Sequence, residues 1–249
     1  MGLSPFPLYL PHATMSKNAQ IAKDGNKAEQ ILCHQSNIQC SFEQYFGKSI
    51  QSIVPINGRK KSDYKILFND GTSVNIQNKD GPGDGRGWSV NRMPSQNYGS
   101  DATLHTLLAN VCLKKGTDRP TVASDRSAEI IRLCLLGREP EYEPHFFTHT
   151  LSNKATGEIT FLSIAPTTPF LDAMISQKYE TMVPKRTCVH LSPSMYLQRK
   201  GGGSKDKAPD HIQAKFRWIP ELETVFTKLS LALADQTIAQ PEVSAASTQ

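Results

Sequence analysis

The sequence predicts a single α/β domain. Hydrophobic residues make up 38% of 249 positions, enough for a core and too many for a disordered chain. Helical apolar stripes are interspersed with short β-rich runs along the chain. No internal repeat and no linker-like stretch divides it. Residues 1–16 read as a flexible extension, 17–235 as the domain and 236–249 as a polar, mobile tail.

The elements follow in order. "SKNAQIAKDGNKAEQI" (17–32) followed by "SFEQYF" (41–46) predicts one or two helices interrupted near Gly25. Residues 50–57 predict a short strand, and "KSDYKILFNDGTSVNIQNKDG" (61–81) a β-hairpin. A Gly-rich loop follows, "DGPGDGRGWSVNR" (80–92). In residues 100–116, Ser100 suits an N-cap, Leu104, Leu107, Leu108 and Val111 form a stripe, and Gly116 ends it after two lysines. "SDRSAEIIRLCLLG" (124–137) predicts a second helix stopping at Gly137 by the same logic. "EITFLSIAP" (158–166) predicts a strand, with further strands at about 186–191, 194–200 and 211–219. Pro220 opens a last helix with Glu221 and Glu223 in its first turn and Leu222, Val225, Phe226, Leu229 and Leu233 as its buried face.

Several classes are excluded or disfavoured. No apolar run approaches the ~20 residues needed to span a membrane. The N-terminus lacks a positive n-region and a long apolar h-region, and Phe6 is not the Ser or Thr of a myristoylation signal. Met15 is a possible alternative start. Five cysteines (Cys33, Cys40, Cys112, Cys134, Cys188) without a CxxC suit a reducing cytoplasm rather than a disulfide framework or zinc ribbon. His145 and His149 have a spacing that binds metal on a helix, but no partner repeats it, and surface or packing roles are the plainer reading.

The hairpin carries the first chemical signal. A three-residue turn, Asn69-Asp70-Gly71, puts Gly where a left-handed backbone is wanted. Phe68 then pairs with Thr72 and, counting back, Asp63 with Gln77. A two-residue Asp70-Gly71 turn would shift that register by one. Alternation puts Asn75, Gln77 and Lys79 on one face of the second strand, so Asp63, Gln77 and Lys79 should converge. A carboxylate and an amide oxygen can share a hard cation such as Mg²⁺. A lysine beside them can orient the attacking water and stabilise charge growing on a phosphate.

The second signal is charge. Between Lys185 and Arg217, eight Lys or Arg stand against two Asp, so the rest of the +5 chain is nearly neutral. A concentrated basic segment is the footprint of a polyanion partner. In residues 211–218, Ile212, Ala214, Phe216 and Trp218 alternate with His211, Gln213, Lys215 and Arg217. Gln and Lys suit the edges of purines in the major groove. The loop "GGGSKDK" lets backbone approach phosphate, with Lys205 and Lys207 as charge.

The pattern of Asp63 followed by Gln77-x-Lys79 on the next strand resembles the PD-(D/E)xK nuclease superfamily, with Ser62 for Pro and Gln77 for the acid. "AKDGNKAEQI", "KSDYKI", "NIQNK", "GRGW" and "LQRKGGGSK…HIQAKF" occur in the same order in small type II restriction endonucleases that cut four-base-pair GCGC- or CCGG-type sites. There too an amide stands at the position of Gln77. The resemblance covers about a third of the chain. It implies a central mixed sheet flanked by helices, one nuclease domain over 17–235 and DNA-recognition strands at about 186–219. It implies Asp63, Gln77 and Lys79 as catalytic, with Glu29 as a helix Glu assisting. Asp63, Gln77 and Asn78 form the metal set, for Mg²⁺. Gln213 and Lys215 are base readers, and Gln198, Arg199 and Lys200 lie near DNA, with Lys205, Lys207 and Arg86 as further contacts. The loop after Lys79 departs from the family in length and in Gly and Asp content. Expected partners are double-stranded DNA, no membrane, and functionally a cognate DNA methyltransferase; the chain acts as a monomer or weak dimer. A DNA-binding module with a weak or inactive site, and a structure-specific repair nuclease, are the alternatives.

Overall fold

The computed structural model describes residues 32–56, 60–81, 88–94, 125–137, 139–153, 155–181, 183–185, 188–200 and 211–231. The predicted helix at 100–116 and most of that at 17–32, together with Glu29, Arg86, Lys205 and Lys207, lie outside them.

Two sheets and their helices make a mixed α/β fold. In chain order the elements are α1 (Ser36–Phe46), β1 (Ile50–Pro55), β2 (Tyr64–Phe68), β3 (Ser73–Asp80), β4 (Trp88–Pro94), α2 (Asp125–Leu136), β5 (Phe146–Ser152) and β6 (Ile159–Pro166). Then come α3 (Thr167–Ser176), β7 (Val183–Lys185), β8 (Cys188–His190), β9 (Met195–Lys200), β10 (His211–Phe216), α4 (Pro220–Glu223) and β11 (Thr227–Lys228). The first sheet runs β1-β2-β3-β5-β6-β11, antiparallel except where β3 meets β5. The second runs β4-β10-β9-β8-β7, antiparallel throughout.

The first sheet has a core on each face. Tyr64, Ile66, Phe68, Ile76 and Ile164 pack with Ile38 and Phe42, which share a side of α1 at i, i+4 spacing. On the other face Phe147 and Ala165 meet Ile130, Ile131 and Cys134 of α2, Phe170 and Met174 of α3, and Leu197, Ile212, Ala214 and Phe216 of the second sheet. Each fully buried aromatic or aliphatic side chain contributes about 1.5–3 kcal/mol. Helix α2 ends where expected. Gly137 has φ +82°, and a Cβ there would meet Lys61 Cβ at 3.1 Å, so both the turn and the close passage of Lys61 require glycine.

Five elements differ from the sequence expectation, the first being helix α3, Thr167–Ser176, where no element was expected. Trp88–Pro94, read as the end of a Gly-rich loop, is strand β4; the glycines stop at Gly87 and the chain then pairs with β10 from Trp88↔Phe216 to Pro94↔His211. Phe146–Ser152, noticed only for His149, is the interior strand β5. The strand expected at 186–191 is a pair of three-residue strands, with Lys185 opposite Cys188. The last helix stops after one turn. Phe226 packs in the second core and Leu229 in the first. A helix would place residues three apart on one face, so reaching both cores needs extended chain, and Thr227 and Lys228 pair with β6 instead.

Candidate active site

The hairpin turn sets the site. Phe68 N–H donates to Thr72 O (2.9 Å), Gly71 N–H to Phe68 O (3.0 Å), and Gly71 sits at φ +81°. Asp70 holds the turn further, accepting from Thr72 N–H (2.9 Å) and pairing with Lys48 (2.8 Å). The register is that of the three-residue turn, with Lys65 opposite Asn75 and Tyr64 opposite Ile76. One residue beyond the ladder, Asp63 meets the end of β3. Its Oδ2 accepts from Gln77 Nε2 (2.5 Å) and from Asn78 N–H (2.7 Å). Lys79 Nζ lies 4.0 Å from the same oxygen. The structure therefore brings Asp63, Gln77 and Lys79 together. Gln77 is 4% exposed, and the Asp63 and Lys79 side chains 18% and 14%, so the charges act at low screening.

Asn78 is split between two roles. Its N–H serves Asp63, but its side chain crosses to the other face of the sheet. There Asn78 Oδ1 accepts from Thr148 Oγ1 (2.8 Å), and its Nδ2 donates to Thr150 Oγ1 (3.2 Å). The side-chain oxygens the site offers are thus one carboxylate and one amide. Turning the Gln77 amide by half a rotation replaces its N–H with Oε1. That oxygen-only set fits a hard cation that keeps waters. Among the described residues no group of three or more His, Cys, Asp or Glu could hold a metal. The two histidines do not form a pair: His145 Nδ1 accepts from Asn75 N–H (2.9 Å), while His149 Nε2–H donates to Gly81 O (2.9 Å).

Two neighbours were not anticipated. Lys61, two residues before Asp63, is half-buried as a residue, but its ammonium lies inside and donates to Cys134 O at the end of α2. Burial, then the charge of Lys79, hold its pKa down to about 7. His149, opposite Lys79 in the parallel β3–β5 pair, is the other. Burial lowers its pKa, which favours the neutral ring. Lys61 opens the hairpin segment with no pattern to mark it, and His149 stood out only by its spacing from His145, in a strand the sequence did not reveal.

The second sheet places the expected DNA residues. Leu197, Ile212, Ala214 and Phe216 face the core. Gln198, Lys200, Gln213 and Lys215 alternate with them, half-buried on the opposite face. Gln213 is opposite Gln198, Lys215 opposite Tyr196, and His211 opposite Lys200. Arg199 departs from this group. It is opposite Ile212 on the core-side face and only 7% exposed. Strand parity puts it there, since it alternates with Gln198 and Lys200. Strand β4 adds Arg92 at the register position beside Gln213.

No protein-family profile matches the chain, and no curated protein matches it in sequence. Among solved structures it is similar to restriction endonuclease MspI in complex with its cognate DNA. Identity is 14%, over 72% of this chain and 77% of that one, with a TM-score of 0.43. At that level the chemistry must be argued from this chain's own residues. No helix among the described residues is long and apolar enough to cross a membrane.

Proposed function

We propose that the chain is a Mg²⁺-dependent type II restriction endonuclease. It hydrolyses phosphodiester bonds in double-stranded DNA at a short palindrome, four base pairs of GCGC or CCGG type. The observation that carries this reading is the convergence of Asp63, Gln77 and Lys79 at the end of the hairpin. Asp63 and Gln77 would hold the ion, with Asn78 contributing main chain only. When bound, the ion supplies Lewis-acid polarisation of the phosphate and a lower pKa for water. The Lys79 ammonium, fixed by Asp63, stabilises charge that grows on the phosphate oxygens. Gln198, Gln213 and Lys215 read bases, while Lys200 and the lysines at 205 and 207 hold phosphate.

One observation favours a second reading, a DNA-binding module with a weak or inactive site. The Asp63 oxygen already accepts from the Gln77 amide and the Asn78 main chain. Plasmid incubated with the protein and Mg²⁺ separates the readings. Discrete fragments support restriction, a smear supports non-specific or structure-directed cleavage, and intact plasmid with a gel shift supports binding alone.

Two variants probe the metal set and the base-reading strand in turn. Gln77→Glu removes an N–H···carboxylate bond and sets two carboxylates side by side, which costs stability until a cation arrives. The variant should melt below wild type without metal, gain more from Mg²⁺ than wild type does, and keep some cleavage. Thermal melts with and without Mg²⁺ check this. Lys215→Ala should cost about 1–3 kcal/mol on the cognate site and far less on random DNA. Titrations of both duplexes with Ca²⁺ in place of Mg²⁺ test it. Equal losses on both would reduce β10 to a basic handle.

A further inference from the structure

We propose that His149 and Trp88 form a latch that fixes the main chain just beyond Lys79 and ties it to the polar second sheet. Both are thereby positioning residues for cleavage. The inference rests on the nuclease reading above and adds residues to its site. The two peptide carbonyls that follow Lys79 are each held by a ring from another strand. Trp88 Nε1–H, at the start of β4, donates to Asp80 O (2.9 Å). His149 Nε2–H, on β5, donates to Gly81 O (2.9 Å). Gly81 N–H closes the arrangement by donating to Thr150 O (2.9 Å). The Asp80 side chain is secured as well, accepting from Thr150 Oγ1 (3.0 Å) and Ser152 Oγ (2.7 Å).

The two rings also touch each other and the second sheet. Their centroids are 4.9 Å apart, and Trp88 lies 4.9 Å from Phe216, its partner across the β4–β10 ladder. Phe216 is the neighbour of Lys215 in sequence. Trp218 packs on His149 at 4.8 Å. A displacement of β10 therefore meets, through two ring contacts and two hydrogen bonds, the peptide planes just beyond Lys79. His149 is 7% exposed and its Nδ1 has no hydrogen-bond partner among the described residues. A phenylalanine would fill that aromatic site without leaving an orphaned nitrogen. A histidine there gains its place through the single bond to Gly81.

The test uses the full chain with His149→Phe, which keeps a ring and removes the donor, and His149→Gln, which restores an N–H near the Nε2 position. Single-turnover plasmid cleavage with Mg²⁺ is compared with affinity in Ca²⁺ for an intact duplex carrying the site that is cut. His149→Phe should slow cleavage roughly 10- to 100-fold, the scale of a small misplacement of a catalytic group. Its affinity should stay within about twofold of wild type, and His149→Gln should recover much of the rate. A wild-type rate for His149→Phe, or rate and affinity falling together, overturns the latch. If His149→Phe does not fold, Trp88→Phe keeps an aromatic ring while removing the indole donor and should show the same split. Wild type that cuts no DNA defeats the nuclease reading instead. The latch is then judged by amide exchange at Gly81, which should quicken in the variant; unchanged exchange overturns it.

Discussion

Replacing Asp63 with alanine is expected to abolish DNA cleavage and to leave DNA binding close to wild type. Asp63 is the carboxylate on which Gln77, the Asn78 N–H and Lys79 all converge. Its loss removes the charged ligand of the proposed ion and the anchor of the proposed catalytic lysine together. Metal activation is worth several kcal/mol, so the rate should fall by at least roughly 10³-fold. Binding should not suffer, because a negative charge beside phosphate disappears. The variant leaves the Asn78 N–H without this acceptor, at a cost of about 1–3 kcal/mol. Asp63→Asn keeps an oxygen there and separates lost chemistry from lost stability. Single-turnover rates and gel shifts on both variants check the outcome; normal cleavage by either removes Asp63 from the site.

Lys79→Met carries the second large effect. Methionine keeps much of the stem, which matters for a side chain only 14% exposed, and deletes the ammonium. Removing one group that stabilises transition-state charge costs about 10²–10³-fold in rate. Because Lys79 is not a ligand, the Mg²⁺ concentration giving half-maximal cleavage should change little. A shift in metal requirement as large as the loss in rate would place Lys79 in the metal set instead. Asp63→Asn should instead lose the Mg²⁺-dependent rise in melting temperature, so the two variants divide holding the ion from stabilising the phosphate.

The parts of the site that depend on local geometry were legible in the sequence. A three-residue turn ending in Gly71 sets the register, and strand parity then brings Asp63 to Gln77 and Lys79. The same parity separates Gln213 and Lys215 from Ile212, Ala214 and Phe216. It likewise turns Arg199, between Gln198 and Lys200, to the core side of β9. Where a choice depends on distant residues, the sequence was silent. Strand β5 carries Thr148 and Thr150 where a core strand ordinarily shows aliphatics. They are there to bond the buried Asn78, a pairing across some 70 residues that no local pattern reveals. Strand β4 was hidden by the glycines before it, and the last helix by an apolar spacing that serves two cores rather than one.

The central claim is that one short palindrome is recognised by the second sheet and cut at the end of the hairpin. Mapping the DNA ends produced from a plasmid by wild-type protein and Mg²⁺ tests it most directly. The account predicts that every end falls within copies of a single four-base-pair palindrome, and that Asp63→Asn produces no ends. Ends scattered without a common sequence, or ends produced equally by Asp63→Asn, would contradict it.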